Sequence, residues 1–318
     1  MKKLITAVLL LCSSLSWGQD LEFSQFYSNP IYLNPALAGT HGCPRFAMNY
    51  RNQWPQLSGQ FISYAASYDQ YFDNISGGFG INLMNDQSAG NTFNHSAISL
   101  MYSYHLNINR KWTALFGAQA TWNQKFLDWD KLTFGDMIDP RRGFIYGTGD
   151  VPRGGSKGFF DASAGVVVFN KFFNVGFTGK HLNRPNESLI LGDSRMPIRL
   201  TAHASATIPL GSKSKYSNST AIMPSLIYTY QQGMYQLNVG TYVKYGVFTA
   251  GAWLRSRDAF ILTLGLTTET FKVGYSYDIT VSPLNNGVSG GAHEVSLGLN
   301  LRCKTKVPSF RTISCPSF

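Results

Sequence analysis

The stretch HEVSLGLNLR, residues 293–302, decides the fold class. Val295, Leu297, Leu299 and Leu301 alternate with Glu294, Ser296, Gly298, Asn300 and Arg302, so an extended chain here has one apolar face and one polar or small face. The segment just before it divides the same way: Phe271, Val273, Tyr275 and Tyr277 oppose Lys272, Gly274, Ser276 and Asp278. Far upstream, Ile98, Leu100, Tyr102, Tyr104 and Leu106 oppose Ser99, Met101, Ser103, His105 and Asn107. Fourteen such segments run along the chain: 45–52, 60–72, 77–85, 93–107, 112–126, 159–170, 172–182, 199–210, 219–230, 235–244, 247–255, 259–268, 271–278 and 292–302. No helical period intervenes, so consecutive strands are expected to be antiparallel neighbours.

A soluble sandwich or propeller also has alternating strands. Three features argue instead for a closed barrel in a membrane. The strands are long, and their even number leaves no edge once the sheet closes. Trp112 and Trp122 stand at opposite ends of one face shared with Ala114, Phe116, Ala118 and Ala120. They lie about 33 Å apart at 3.3 Å per residue; on a strand tilted by about 40 degrees this projects to roughly 25 Å, the height of the apolar band between aromatic girdles. The connections 73–76, 107–111, 170–171, 245–246 and 269–270 are short, whereas 127–158, 183–197 and 279–291 are long, as in barrels with periplasmic turns and outer loops. The expected fold class is therefore all-β, a transmembrane outer-membrane antiparallel β-barrel of about 14 strands.

The first eighteen residues, MKKLITAVLLLCSSLSWG, combine two lysines, an apolar run and a small-x-small ending, which reads as a signal peptide cleaved before Gln19. The remaining chain divides into an N-terminal plug or periplasmic segment (19–44), the barrel (45–302) and a basic, cysteine-containing periplasmic tail (303–318). The whole chain carries a formal charge of +10, or +8 once Lys2 and Lys3 leave with the leader. Those basic residues are scattered rather than clustered, which argues against nucleic acid as a partner. No stretch after Gly18 is apolar for long enough to be a membrane helix.

The stretch FSQFYSNPIYLNPALAG, residues 23–39, fits neither period. Phe23, Phe26, Tyr27, Tyr32 and Leu33 supply bulk, while Pro30 and Pro35 forbid an ordinary central strand and the two Asn-Pro pairs favour turns. A barrel of fourteen strands is wider than side chains alone can fill, so this segment is expected to fold into the lumen or across its mouth as a plug. The alternative is a loosely attached arm.

Nothing points to an enzyme. His293 and Glu294 are adjacent and so face opposite sides of a strand, and no serine sits in a G-x-S-x-G elbow. The glycine runs at 77–80 and 147–149 do not lead from a strand into a helix, so they are not phosphate loops. Cys43, Cys303 and Cys315 lack paired metal-site spacing, and no cofactor is expected. In an oxidising compartment these three cysteines suggest a disulfide: Cys43 with Cys303 or Cys315 would staple the seam between first and last strands, and Cys303 with Cys315 would close only a tail loop. Proximity favours a bond from Cys43. Lys272 and Asp278 share the polar face and could pair across the lumen wall. The long connection holds Trp129, Asp136, Asp139, Arg141, Arg142, Phe144, Tyr146 and Arg153, an aromatic and arginine mixture suited to a partner-binding surface.

The run FSQFYSNPIYLNPALAG, followed by YRNQWPQL at 50–57, GGFGINLMND at 77–86, FDASAGVVVF at 160–169, VGYSYDIT at 273–280 and GGAHEVSLGLNL at 290–301, resembles the PorP/SprF family of Bacteroidota outer-membrane proteins. The resemblance spans nearly the whole mature chain, with the motifs in the same order. It implies a barrel of the type IX secretion and gliding machinery, of SprF-like kind, that assists the export or attachment of surface proteins such as large adhesins. Its implied partners are outer-membrane lipid, the exported cargo, and ring or lipoprotein components of the periplasmic apparatus. The tail RCKTKVPSFRTISCPSF, 302–318, matches none of these motifs. A diffusion channel for small solutes and a soluble β-sandwich adhesin are the competing readings.

Overall fold

The computed structural model describes residues 20–149, 154–189, 192–210, 220–281 and 286–301. Fourteen antiparallel strands follow one another: β1 (Arg45–Gln53), β2 (Phe61–Phe72), β3 (Gly77–Ser88), β4 (Phe93–Asn107), β5 (Thr113–Leu127), β6 (Ser156–Phe169), β7 (Phe173–Lys180), β8 (Arg199–Ala206), β9 (Ala221–Gln231), β10 (Met234–Tyr245), β11 (Phe248–Arg255), β12 (Ala259–Thr267), β13 (Phe271–Thr280) and β14 (Ala292–Asn300). Each pairs with its sequence neighbours, and β1 pairs with β14, Arg45 opposite Asn300, so the sheet closes with no free edge. Ile208–Pro209 adds a short continuation against β9, and Ile138–Asp139 with Gly143–Phe144 forms a separate two-stranded ribbon in the longest loop.

The alternation read from the sequence fixes which face is which. On β12, Phe260, Leu262, Leu264 and Leu266 are exposed and apolar, while Ala259, Ile261 and Thr263 are buried. On β5, Phe116 and Trp122 point outward with Trp112, just before the strand; Leu115, Thr121 and Asn123 point inward. The outward apolar face is the surface a bilayer covers.

On the rim where β1 joins β2, the connection that the sequence leaves at 231–234 is tighter still: β9 joins β10 through Gln232-Gly233 alone, with φ of 45° and 85°. Two successive positive φ values make the tight primed turn whose twist suits a hairpin, a role the glycine permits. The 89–92 and 256–258 connections on this rim are also short, and the opposite rim carries one longer connection, 207–220. The contrast persists in the longest loops, 128–155, 181–198 and 281–291, which all stand on what we call the long-loop rim.

Placing Arg at position 264, outward and midway along β12, should destabilise the barrel by about 2–4 kcal/mol. Urea titration of Leu264→Arg and parent protein in liposomes measures the difference.

Candidate functional site

The most elaborate construction in the molecule is the contact between the barrel wall and residues 20–44. Each Asn-Pro pair starts a turn: Pro30–Leu33 forms one helical turn and Pro35–Leu37 a 3-10 turn, both with proline at the first position, where its missing N–H costs nothing. Asn34 caps the second, its side chain accepting from the Ala36 N–H at 2.9 Å. The same side chain donates to the wall carbonyls of Val166 (3.3 Å) and Phe177 (3.2 Å).

The segment threads the lumen lengthwise. Asp20 meets His181 at the long-loop rim, and Gly39 meets Asp69 and Gly78 near the opposite rim, beside the start of β1. Phe23, Phe26, Tyr27, Pro30 and Pro35 are buried, and Tyr32 and Leu33 are half-buried. Their bulk is received by an apolar patch that the polar-lumen reading did not anticipate. Phe26 packs on Trp253 with ring centroids 4.9 Å apart, Tyr27 sits edge-on to Tyr242, and Met223, Ile227 and Ile261 complete the cluster. Tyr32 meets Phe23 edge-on, donates from its hydroxyl to the Leu21 carbonyl at 2.6 Å, and has the Lys180 ammonium 4.2 Å from its ring centre.

Three things hold this segment. The first is a trail of wall glycines. A Cβ at Gly78 would lie 2.1 Å from the Ala38 carbonyl oxygen, at Gly117 2.2 Å from the Ala36 nitrogen, at Gly165 2.1 Å from Asn34 Oδ1, and at Gly274 2.4 Å from Gln25 Oε1. Their backbone dihedrals are ordinary, so glycine serves here for space alone. The second is a buried ionic clamp. Arg51 reaches Asp278 at 3.0 Å and Glu294 at 3.6 Å, and Arg255 reaches Asp278 at 3.2 Å. Into this cluster the segment inserts Ser24, whose hydroxyl donates to Asp278 at 2.5 Å and whose N–H donates to Glu294 at 2.6 Å. Two cations face two carboxylates, so the buried group is neutral in sum; losing one member would leave an uncompensated charge, costing about 3–5 kcal/mol. The third is the lower anchor, where Arg45 grips Asp69 at 2.8 and 2.9 Å and Asp69 accepts the Gly39 N–H at 2.8 Å.

Asp278 thus pairs with Arg51 and Arg255 rather than with Lys272, which lies six residues away at the other end of β13 with its stem against Gly298. Glu294 and His293 are on opposite faces: Glu294 is buried in the clamp, and His293 accepts or donates with the Tyr275 hydroxyl at 2.8 Å. In the long loop, Asp139 accepts the Arg141 and Arg142 N–H groups (2.8 and 2.9 Å) and the Tyr146 hydroxyl (3.0 Å), and Asp136 accepts from Gly149 at 2.7 Å. These bonds hold both carboxyls below the usual carboxylate range. Trp129 stacks on Phe134. The loop carboxylates and Trp129 therefore shape the loop, while Arg141, Arg142, Phe144 and Tyr146 are its exposed tip. Arg153, Cys303 and Cys315 lie outside the described residues, as do residues 1–18, expected to be a signal peptide, and 303–318. Cys43 is disulfide-bonded, and its partner also lies outside them.

Sequence reasoning missed Ser24, Gln25, Arg51, Arg255 and Glu294 and the glycine trail. The signal was present: Arg51, Arg255 and Glu294 are charges on the lumen parity of two-faced strands, and Gly117, Gly165 and Gly274 fall on that same parity.

Comparison with known proteins shows the family and the likeness of fold. The profile of a family described as type IX secretion system membrane protein PorP/SprF matches residues 16–299. The chain belongs to this family. No curated protein matches it. Among solved structures, the CymD monoaromatic hydrocarbon channel is 12% identical, with 91% of this chain and 96% of that one covered at a TM-score of 0.50, a likeness of fold. The outer membrane protein Omp33 of Acinetobacter baumannii (9% identity, 82% and 100% covered, TM-score 0.42) and the KdgM porin (8%, 80% and 99%, 0.37) are more distant. This PorP/SprF barrel is thus a membrane protein of porin-like architecture.

Two predictions test how the segment is held. Gly117→Val should overpack the wall by about 1–3 kcal/mol, so that a cysteine placed at Ala36, which is fully buried, is alkylated on the order of ten-fold faster or more than in the parent wall. Peptide mass spectrometry reads the site, and heat-modifiable gel migration confirms the barrel. The second concerns His181, just beyond β7, 2.8 Å from Asp20 and 3.1 Å from Asp161, the latter an ion-pair contact without hydrogen-bond geometry. Burial opposes its charge, but the Asp161 and Asp20 carboxylates outweigh it and push its pKa up from 6.5 to about 9. The folded state binds this proton more tightly than the unfolded chain, so its contribution is complete below about pH 6.5 and is lost as pH rises through about 9. Protease cleavage at residues 20–23 should increase between pH 6 and pH 10, and His181→Gln should flatten the profile.

Proposed function

We propose that this barrel is a non-enzymatic outer-membrane component of the type IX secretion and gliding machinery that binds an exported cell-surface protein, such as a large adhesin, and couples it to the periplasmic apparatus. The observation that carries this reading is the occupied bore: residues 20–44 run from rim to rim and are gripped by glycine cut-outs and buried ion pairs. A barrel so filled presents its rims rather than a passage. With short turns in the periplasm and long loops outside, cargo would meet the tip of the 128–155 loop at Arg141, Arg142, Phe144 and Tyr146. Periplasmic components would meet the opposite rim and the basic tail, 303–318. A seam staple from Cys43 to Cys303 or Cys315 would tie that tail to the wall.

The second reading, a small-solute diffusion channel, draws support from the fold shared with the CymD channel. Liposome swelling separates the two. The intact protein should pass sugars no faster than protein-free liposomes, and deletion of residues 20–40 should raise both swelling and single-channel conductance. Fast swelling with the intact chain would favour the channel. The adaptor reading further expects a surface protein or a ring component to co-purify from detergent extracts, and a pull-down yielding neither contradicts it.

A further inference from the structure

The segment fills the lumen unevenly. Against the β3–β7 wall, at the long-loop end, a cavity of about 170 Å³ remains between the wall and Tyr32. Its wall is a polar grid. Asn82, Ser99, Thr121 and Asp161 are direct cross-strand partners on β3, β4, β5 and β6, forming one row, with Gln119 and Ser163 paired in the row beneath. Neighbouring strands are about 4.8 Å apart, so the row offers a polar side chain at each such step. Ser99 and Thr121 bond each other at 2.9 Å, and Gln119 donates to both, at 3.2 and 3.0 Å.

Four lining side-chain atoms are buried without a hydrogen bond: Arg199 Nε, His181 Nδ1, which keeps its ion-pair contact with Asp161, and two on the grid itself. Asp161 Oδ1 and Ser163 Oγ are buried and unbonded, on residues that are 4% exposed and line the cavity. Leaving such groups unmet costs about 1–3 kcal/mol each, and they specify what would satisfy them: Asp161 Oδ1 requires a donor, while Ser163 can give or take. The charges around the cavity are of both signs, Asp20, Asp86 and Asp161 against Lys125, Lys180 and Arg199, with His181 between Asp20 and Asp161, and this mixture disfavours an ionic guest of either sign. A carboxylate entering beside Lys180 would face Asp161, and an ammonium beside Asp161 would face Lys180, whose ammonium donates to the Tyr32 carbonyl at 3.0 Å. A group that both donates and accepts, carries no charge and spaces its polar atoms over a few ångströms is a polyol. Phe93 and Tyr32 add ring surface for its C–H faces.

We infer that this cavity is a binding site for a neutral, monosaccharide-sized polyol, a hexopyranose unit reaching it from the long-loop side. The inference is independent of the cargo-binding reading, since it concerns the lumen wall beside Tyr32 and not the tip of the 128–155 loop that cargo would meet.

The test uses the full-length protein in detergent and, as probes, the methyl glycosides of glucose, galactose and mannose, with galacturonate and glucosamine as charged counterparts. Saturation-transfer NMR titration should show at least one neutral glycoside binding saturably and more tightly than either charged sugar. Ser163→Leu, which fills the cavity, should abolish the signal. Ser99→Ala combined with Thr121→Val, close to isosteric and removing two hydroxyls, should weaken binding by on the order of ten-fold or more. Unchanged heat-modifiable migration shows that each variant remains a barrel; if Ser163→Leu fails to fold, the double variant decides. The inference is overturned if no neutral glycoside saturates, if only charged sugars bind, or if binding is indifferent to the folded variants.

Discussion

A closed sheet of fourteen strands encloses a bore wider than its own inward side chains can fill, and the rest of the molecule answers to that constraint. Closure satisfies every ladder and turns the apolar faces toward lipid, but it leaves a polar tube through the membrane. Here the chain supplies its own filling before the first strand begins. The filler could not be a strand or a long helix, since it must lie against two different walls, apolar Trp253 and Tyr242 on one side and glycine and hydroxyl surfaces on the other. Two Asn-Pro turns give it that irregular shape, with Asn34 spending its side chain on the wall as well as on its own cap.

The lumen wall is accordingly not the uniformly polar lining of an open pore. It is cut to an occupant. Gly240 and Gly251 vacate the space that the rings of Trp253 and Tyr242 occupy, so that those rings lie back against the wall and still meet Phe26 and Tyr27. Lower down, Gly78 and Gly117 admit backbone itself, which no other residue could do. A glycine inside a strand weakens the strand, and the loss here is offset by contacts to a segment distant in sequence.

This division also explains what could be read from sequence. The strands, their number, their order and the lipid face were legible because a period of two is a local property, visible in any eight residues such as Phe271 to Asp278. That residues 23–39 need burial was legible from composition. The receiving surface was not. It is assembled from Gly78, Gly117, Gly165 and Gly274, on four separate strands, and from Trp253 and Tyr242, whose inward parity looks no different from that of outward aromatics until the register is known. The clamp was hidden similarly, because Arg51, Arg255, Asp278 and Glu294 come together only across strands far apart in the chain. The short Gln232-Gly233 turn, on the rim that carries the longest loops, shows that loop length obeys local turn geometry as well as the side of the membrane.

The position of the clamp links filling to closure. Arg51 and Glu294 are direct cross-strand partners at the one place where the first strand meets the last. Both turn toward Ser24, Glu294 taking the Ser24 and Gln25 N–H groups and a bond from Asn49, while Arg51 donates to the Ser24 hydroxyl. Until β1 and β14 are side by side these groups do not form one site, and until the segment is in place Glu294 lacks two of its donors. Each event therefore favours the other, by ordinary linkage through shared contacts. The segment begins at the long-loop rim and the chain leaves it at the opposite rim to enter β1, so it must lie inside the curving sheet before the seam shuts or pass through it afterwards. Shared seam contacts make the first order energetically natural: a sheet closing around its own N-terminal segment gains the clamp in the same step that removes its last free edges.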